Sequence, residues 1–374
     1  MATKQQVQAA LTKIRSFDSF FQGLLAETLN WPIDQGVTQL DDIGHAWTNE
    51  ELRAAGLERN ILDGQIWQIQ PLPKEQQPWG IFLLQFNSPN VFTSGRGITS
   101  PLRQVLRGLV PSRRKVANLP SWERENILFI CTHRWEHFRF GHFRSTGEGL
   151  RRARLATFGW GPNTSTRTVC EFNLPPLSWP EITADAKAWV AQWSGAFDKE
   201  PLTADFFKRF DRAIQAIKSD LETYQSLSPA EAYTRSQLLL ERLIFLYFLQ
   251  NRGWLNQESR FLLGGFQKHR DRPDEFSYAL EFLDKLFWTL SSAPGSPARL
   301  DGIPFLNGGL FDDDEFAQTP IRMKTNPPLK VRNSTFAKVF EELLEAFNFT
   351  VCEDTPLNQE VAVDPEMLGK ESLK

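Results

Sequence analysis

The chain has 374 residues, 41% hydrophobic and 23% charged, and a formal net charge of −3. This is an ordinary globular composition, long enough for two or three domains with real cores, and it excludes a disordered or membrane-embedded chain. Three widely spaced cysteines, Cys131, Cys170 and Cys352, argue against a disulfide framework and for a reducing cytoplasm.

No apolar leader opens the chain at Met1–Gln6. Apolar residues at helical spacing, from Ile14 through Phe17, Phe20, Phe21, Leu24 and Leu25, predict an amphipathic helix over 5–29. Asn30-Trp31-Pro32 ends it. Two strands follow, Ile66–Gln70 and Ile81–Phe86, then a helix over Pro101–Val110. A buried strand, Ile127–Cys131, comes next, with further strands at Phe138–Phe143, Leu155–Trp160 and Thr168–Phe172. The order helix, strand, strand, helix, strand indicates a mixed α/β domain over residues 1–175.

Leu174–Pro180 reads as a proline-rich linker, and beyond it the pattern is helical. One helix is expected over Thr203–Ser226. Ser228-Pro229-Ala230-Glu231 combines a cap, a first-turn proline and an acid three residues on. The helix it starts runs to Asn251 and stops at Gly253. Its Leu238–Leu249 section is apolar nearly all round, hence central, but too short and too charged (Glu241, Arg242) to cross a bilayer. No membrane partner is therefore expected. Helices over Asp274–Leu290 and Thr335–Phe347 flank a turn-rich stretch, Ser291–Arg332. The fold class is α+β, with a mainly helical domain at 181–300 and a turn-rich and helical segment at 301–374.

Charge is segregated. Val91–Leu155 holds thirteen Arg and Lys against four Glu, an excess of nine positive charges in a chain of net −3. Arg113, Arg114 and Lys115 fall in a loop; Arg134, Arg139 and Arg144 fall among aromatic residues, with Arg139 and Phe138 on opposite strand faces. Guanidinium groups neutralise phosphates, so these six are the candidate contacts to double-stranded DNA. Cys131, His133, His137 and His142 are zinc-type residues, but no second ligand pair on a tight turn accompanies them, and no metal site is assigned. The acidic run Asp312–Glu315 reads as a solvated loop. Asn326-Pro327-Pro328-Leu329 lacks the aromatic that would stack on a flipped adenine, and reads as a loop too.

The N-terminal order resembles the nuclease core with a PD-(D/E)xK-type site, common among restriction endonucleases. That chemistry uses an acid on one strand and an acid-x-Lys triplet on the next, the acids holding Mg²⁺. Here the second strand ends Gln85-Phe86-Asn87, so the resemblance implies a degenerate site. Asp63 and Glu27 are the nearest acids, and with Gln85 they are the catalytic candidates.

Near the C-terminus stand Leu306-Asn307-Gly308-Gly309-Leu310-Phe311, then Phe349-Thr350-Val351, then Asp364-Pro365-Glu366-Met367-Leu368-Gly369-Lys370. With Glu241–Leu255 these phrases resemble the segment upstream of the methyltransferase domain in type IIG restriction-modification enzymes and related phage-defence methyltransferases. Those enzymes join a DNA endonuclease to an adenine-N6 methyltransferase. The likeness covers about Gln237–Lys370, and the chain stops at Lys374, about where the methyltransferase would begin. It implies a fragment that positions DNA and lacks methyl transfer of its own. S-adenosylmethionine would enter only with the missing domain, and a separate methyltransferase chain would be the protein partner. The alternatives are an active Mg²⁺-dependent endonuclease and a non-catalytic scaffold that docks a methyltransferase.

Overall fold

A computed structural model of the chain describes residues 1–54, 64–70, 72, 77–93, 97–109, 126–144, 154–162, 164–181, 184–296, 299–306, 309–311, 329–349, 358–360 and 362–363. The chain divides into two units, Met1–Leu202 with Cys352–Ala362 and Thr203–Val351 with Val363–Lys374.

The first unit is built on one mixed sheet whose seven strands lie in sequence order. They are β1 (Gly44–Ala46), β2 (Gly64–Ile69), β3 (Trp79–Phe86), β4 (Asn126–His133), β5 (His137–Arg144), β6 (Arg154–Trp160) and β7 (Asn358–Glu360). β1, β2 and β3 form an antiparallel meander, and β4 pairs parallel to β3. β5 and β6 return antiparallel, and β7 adds parallel to β6. A parallel β3–β4 pair requires a crossover, and its helix is Thr99–Leu109.

Strand alternation separates two faces. One presents Ile66, Phe82, Leu84, Phe86, Phe129, Cys131, Phe143 and Leu155 to Leu102, Val105 and Leu106 of the crossover helix. The i, i+3, i+4 spacing of those helical residues is the pattern that predicted a helix there. The other face carries Phe138, Phe140, Phe158 and Trp160, with Phe20 stacked on Phe138 at 5.0 Å between centroids. β3 and β4 are apolar at nearly every position because both faces are covered.

The single helix expected over 5–29 is two pieces, α1 (Lys4–Leu11) and α2 (Ser19–Thr28), the second closed by i→i+5 hydrogen bonds such as Leu29 N to Leu24 O. Ser16 and Ser19 cause the break. The backbone amides of Arg15 and Ser16 donate to Ser19 Oγ at 2.9 Å, and Ser19 N donates to Ser16 Oγ. These side chains replace helical partners, while the apolar spacing continues undisturbed through the interruption. The strand expected at Thr168–Phe172 is a helical turn, Val169–Asn173; a short β-branched run does not distinguish the two by itself.

Leu174–Pro180 is packed rather than tether-like. Leu174 and Leu177 are fully buried, and Trp31 Nε1 donates to Leu177 O at 2.8 Å. Trp31 stacks on Trp193 of Ala186–Gly195 at 5.1 Å, and Trp193 meets Trp79 of β3 at 5.5 Å.

In the second unit Ser228 caps Pro229–Asn251 through the anticipated capping box, and Gly253 follows the helix at φ 74°. Leu239, Leu240, Leu243, Ile244 and Leu246 of this helix are buried. Glu200–Gln225, Phe261–Gln267, Tyr278–Ser291 and Asn333–Leu344 are the other main helices; the first of these starts just before the division between the units. Among the described residues, no helix is long and apolar enough to cross a membrane.

Candidate functional site

The carboxyl ends of the parallel strands β3 and β4 lie side by side, the position where open sheets with crossover helices most often bind ligands. β3 ends at Gln85-Phe86 and β4 at Thr132-His133; a tight turn through Arg134, Trp135 and Glu136 leads into His137 of β5. Gln85 is registered between Gln65 of β2 and Thr132 of β4. At the adjoining start of β2, a Cβ on Gly64 would collide with the carbonyl oxygen of Gln85, so only glycine fits.

The turn is held in an unusual conformation. Arg134 and Trp135 have φ of 51° and 57°, and neither is the Gly, Asn or Asp that favours this region. Glu136 N closes the turn on His133 O at 3.1 Å. Trp135 is held by packing: its ring lies 5.7 Å from Phe20, 6.1 Å from Phe17 and 6.4 Å from Phe138. This anchoring leaves Arg134 exposed at the tip.

Behind the tip, two imidazoles share a face. His133 is buried and its Nδ1–H donates to Phe86 O at 2.8 Å, tying β4 to β3. His137 is its register partner, with ring centroids 5.9 Å apart. Burial, helped by the neighbouring His133 and opposed by Glu136, holds His137 below its ordinary pKa, so it is neutral at neutral pH. Arg139 follows on the same face, its Nη2 3.4 Å from Phe92 O. Cys131 is buried beneath, and burial pushes its thiol far up. His142 falls on the opposite face, where its ring meets Trp79 at 4.6 Å and its Nδ1 bonds Ile127 O. The four zinc-type residues are thus divided between the two faces. No group of three or more His, Cys, Asp or Glu that could hold a metal occurs among the described residues.

Among the catalytic candidates, Asp63 lies outside the described residues. Glu27 is exposed on the last turn of α2, whose chain continues into Trp31, stacked on Trp193, which in turn meets Trp79. Trp79 opens β3 and Gln85 lies near its end, so Glu27 and Gln85 sit toward opposite ends of that strand. Gln85-Phe86-Asn87 carries no ionisable group.

Among the candidate DNA contacts, Arg113, Arg114 and Lys115 lie outside the described residues. Arg134 and Arg144 are at opposite ends of the β5 hairpin, Arg144 in register with Arg154 of β6, and the side chain of Arg144 is outside the description. The left-handed turn has no sequence signal, because Arg-Trp is not a turn dipeptide. The acidic run at 312–315, Asn326–Pro328, Asn307-Gly308, Thr350-Val351 and 364–370 also lie outside the described residues.

No family model matches the chain, and no curated protein and no solved structure matches it.

Proposed function

We propose that the chain is a DNA-engaging module, similar to the N-terminal region of type IIG-like restriction-modification proteins, that positions duplex DNA for a methyltransferase. The observation that carries this reading is the sheet order of the first unit. The order helix, strand, strand, helix, strand, on which the nuclease-like resemblance rests, recurs as α2, β2, β3, the Thr99–Leu109 helix and β4, with β1 added before β2. The same unit holds the basic stretch Val91–Leu155. Gln85 and Asn87 stand where metal-dependent cleavage needs an acid and a lysine, which favours binding over cutting.

The test is binding of the purified chain to a random duplex across a salt series. Affinity falling steeply with salt, with a log–log slope of several units, is the expected result, because each neutralised phosphate releases counterions. Affinity that is flat with salt, or no binding at low salt, would overturn the reading in favour of a protein-docking scaffold. Plasmid incubated with Mg²⁺ or Mn²⁺ should remain supercoiled; cleavage would convert the assignment to an active endonuclease.

A further inference from the structure

The His133–His137 pair lies on the face of the sheet opposite Gln85, so it stands apart from the nuclease-like position, with Arg139 of the candidate DNA contacts on its own face. Its geometry is directional. A carbonyl can only accept, so the bond to Phe86 O makes Nδ1 the protonated nitrogen of His133 and leaves the lone pair on Nε2. Nδ1 points toward β3, and Nε2 sits almost opposite it on the imidazole ring, facing the β5 side. His137 is arranged the other way round. Its Cδ2 edge faces Gly161, just past the end of β6, where an added Cβ would lie 3.1 Å away. Nδ1 is almost opposite Cδ2, on the side of the ring away from Gly161. That atom is buried and has no hydrogen-bond partner among the described residues. Phe92 borders the pair, its ring centroid 5.7 Å from that of His137.

We propose that His133 Nε2 and His137 Nδ1 form a two-histidine site for a borderline divalent transition cation of the Zn²⁺ or Ni²⁺ class. Two imidazoles ligating one ion at metal–nitrogen distances of about 2.0–2.1 Å hold their ring centres roughly 5–6 Å apart depending on the angle at the ion, and the observed 5.9 Å calls for an opened angle. A backbone carbonyl fixing the far nitrogen of one ligand is the usual support of a metal-bound histidine. No third His, Cys, Asp or Glu completes the set among the described residues, so the ion keeps open positions for water or an anionic ligand. Imidazole nitrogen selects transition cations over Mg²⁺ and Ca²⁺.

The experiment is calorimetric titration of Ni²⁺ and Zn²⁺ into the tag-free full chain without DNA, so its outcome does not depend on the DNA reading. One equivalent is expected to bind, with affinity falling at least about tenfold in His133→Ala and in His137→Ala and unchanged in His45→Ala. Equal binding in either of the first two variants would overturn the site. Because His133→Ala also removes a bond to β3, ring resonances of the unmodified chain supply a second readout. Paramagnetic Ni²⁺ should broaden His133 and His137 first; broadening confined to His45 or His269 would refute the assignment.

Discussion

Asp220 in the helical unit and the β4–β5 turn in the sheet unit treat polar groups in opposite ways. Asp220, only 1% exposed, accepts from Arg332 N, Nε and Nη2 at 2.8–3.0 Å and from Thr335 Oγ1 at 2.7 Å. Nearby, Asn333 Nδ2 donates to His269 O, Asp274 O and Ser277 Oγ. At the turn, two residues without glycine's freedom hold left-handed φ, Arg134 projects into solvent and His137 keeps a buried nitrogen bare. A buried carboxylate with all its donors in place defines one packed arrangement, whereas backbone strain is most often kept where a protein meets a ligand. The Asp220 network holds the helical unit together, and the sheet end carries the positions proposed above for binding.

Four changes break or sharpen this contrast. Asp220→Asn should have the largest effect, about 3 kcal/mol of lost stability by urea unfolding, because it removes the charge that pairs Arg332 and turns an NH2 toward donors that both oxygens now satisfy; DNA binding per folded molecule should not change. Gly64→Ala should cost about 2 kcal/mol, since the colliding atom is backbone and cannot swing aside. If its melting temperature equals that of the parent, β2 and β3 do not approach as closely as described. Arg134→Asn should move two observables in opposite directions. Relief of the left-handed conformation should stabilise the fold by about 0.5 kcal/mol, while the salt slope of DNA binding falls by about one. A variant that gains stability without any change in slope would remove Arg134 from the interface.

The smallest effect is a pH dependence. The folded pKa of His137 lies below its ordinary value of 6.5, so the unfolded chain binds the extra proton. Its contribution to stability is complete above the ordinary value and is lost as pH falls below it, down through the folded pKa. His269, lowered mainly by burial, contributes in the same direction. Comparing acid unfolding of His137→Gln with the parent should show a shallower decline below pH 6.5. An identical profile would mean that His137 is not desolvated.

Local chemistry was legible where it acts over a few residues. The Ser228 cap, the stop at Gly253, the crossover helix and the apolar β3 and β4 all follow from spacing and composition. β1 and β7, three residues each, have too little pattern to announce themselves and exist through their pairing with β2 and β6. At the candidate site the residue types were visible but not their grouping. Cys131, His133, His137 and His142 read as one set, and the alternation of two paired strands divides them.

By itself the sequence determined the α+β class, the central helix with both of its ends, the charge segregation and the absence of acid and lysine at Gln85-Phe86-Asn87. Each of these rests on side-chain chemistry or on periodicity within one element. Tertiary structure alone decided that Ser16 and Ser19 interrupt an apolar helix, and that Leu174–Pro180 is buried among tryptophans. It also decided that Arg134 and Trp135 sit at positive φ and that two imidazoles lie side by side on one face of the sheet. Such features depend on partners far along the chain, whose packing outweighs local preference.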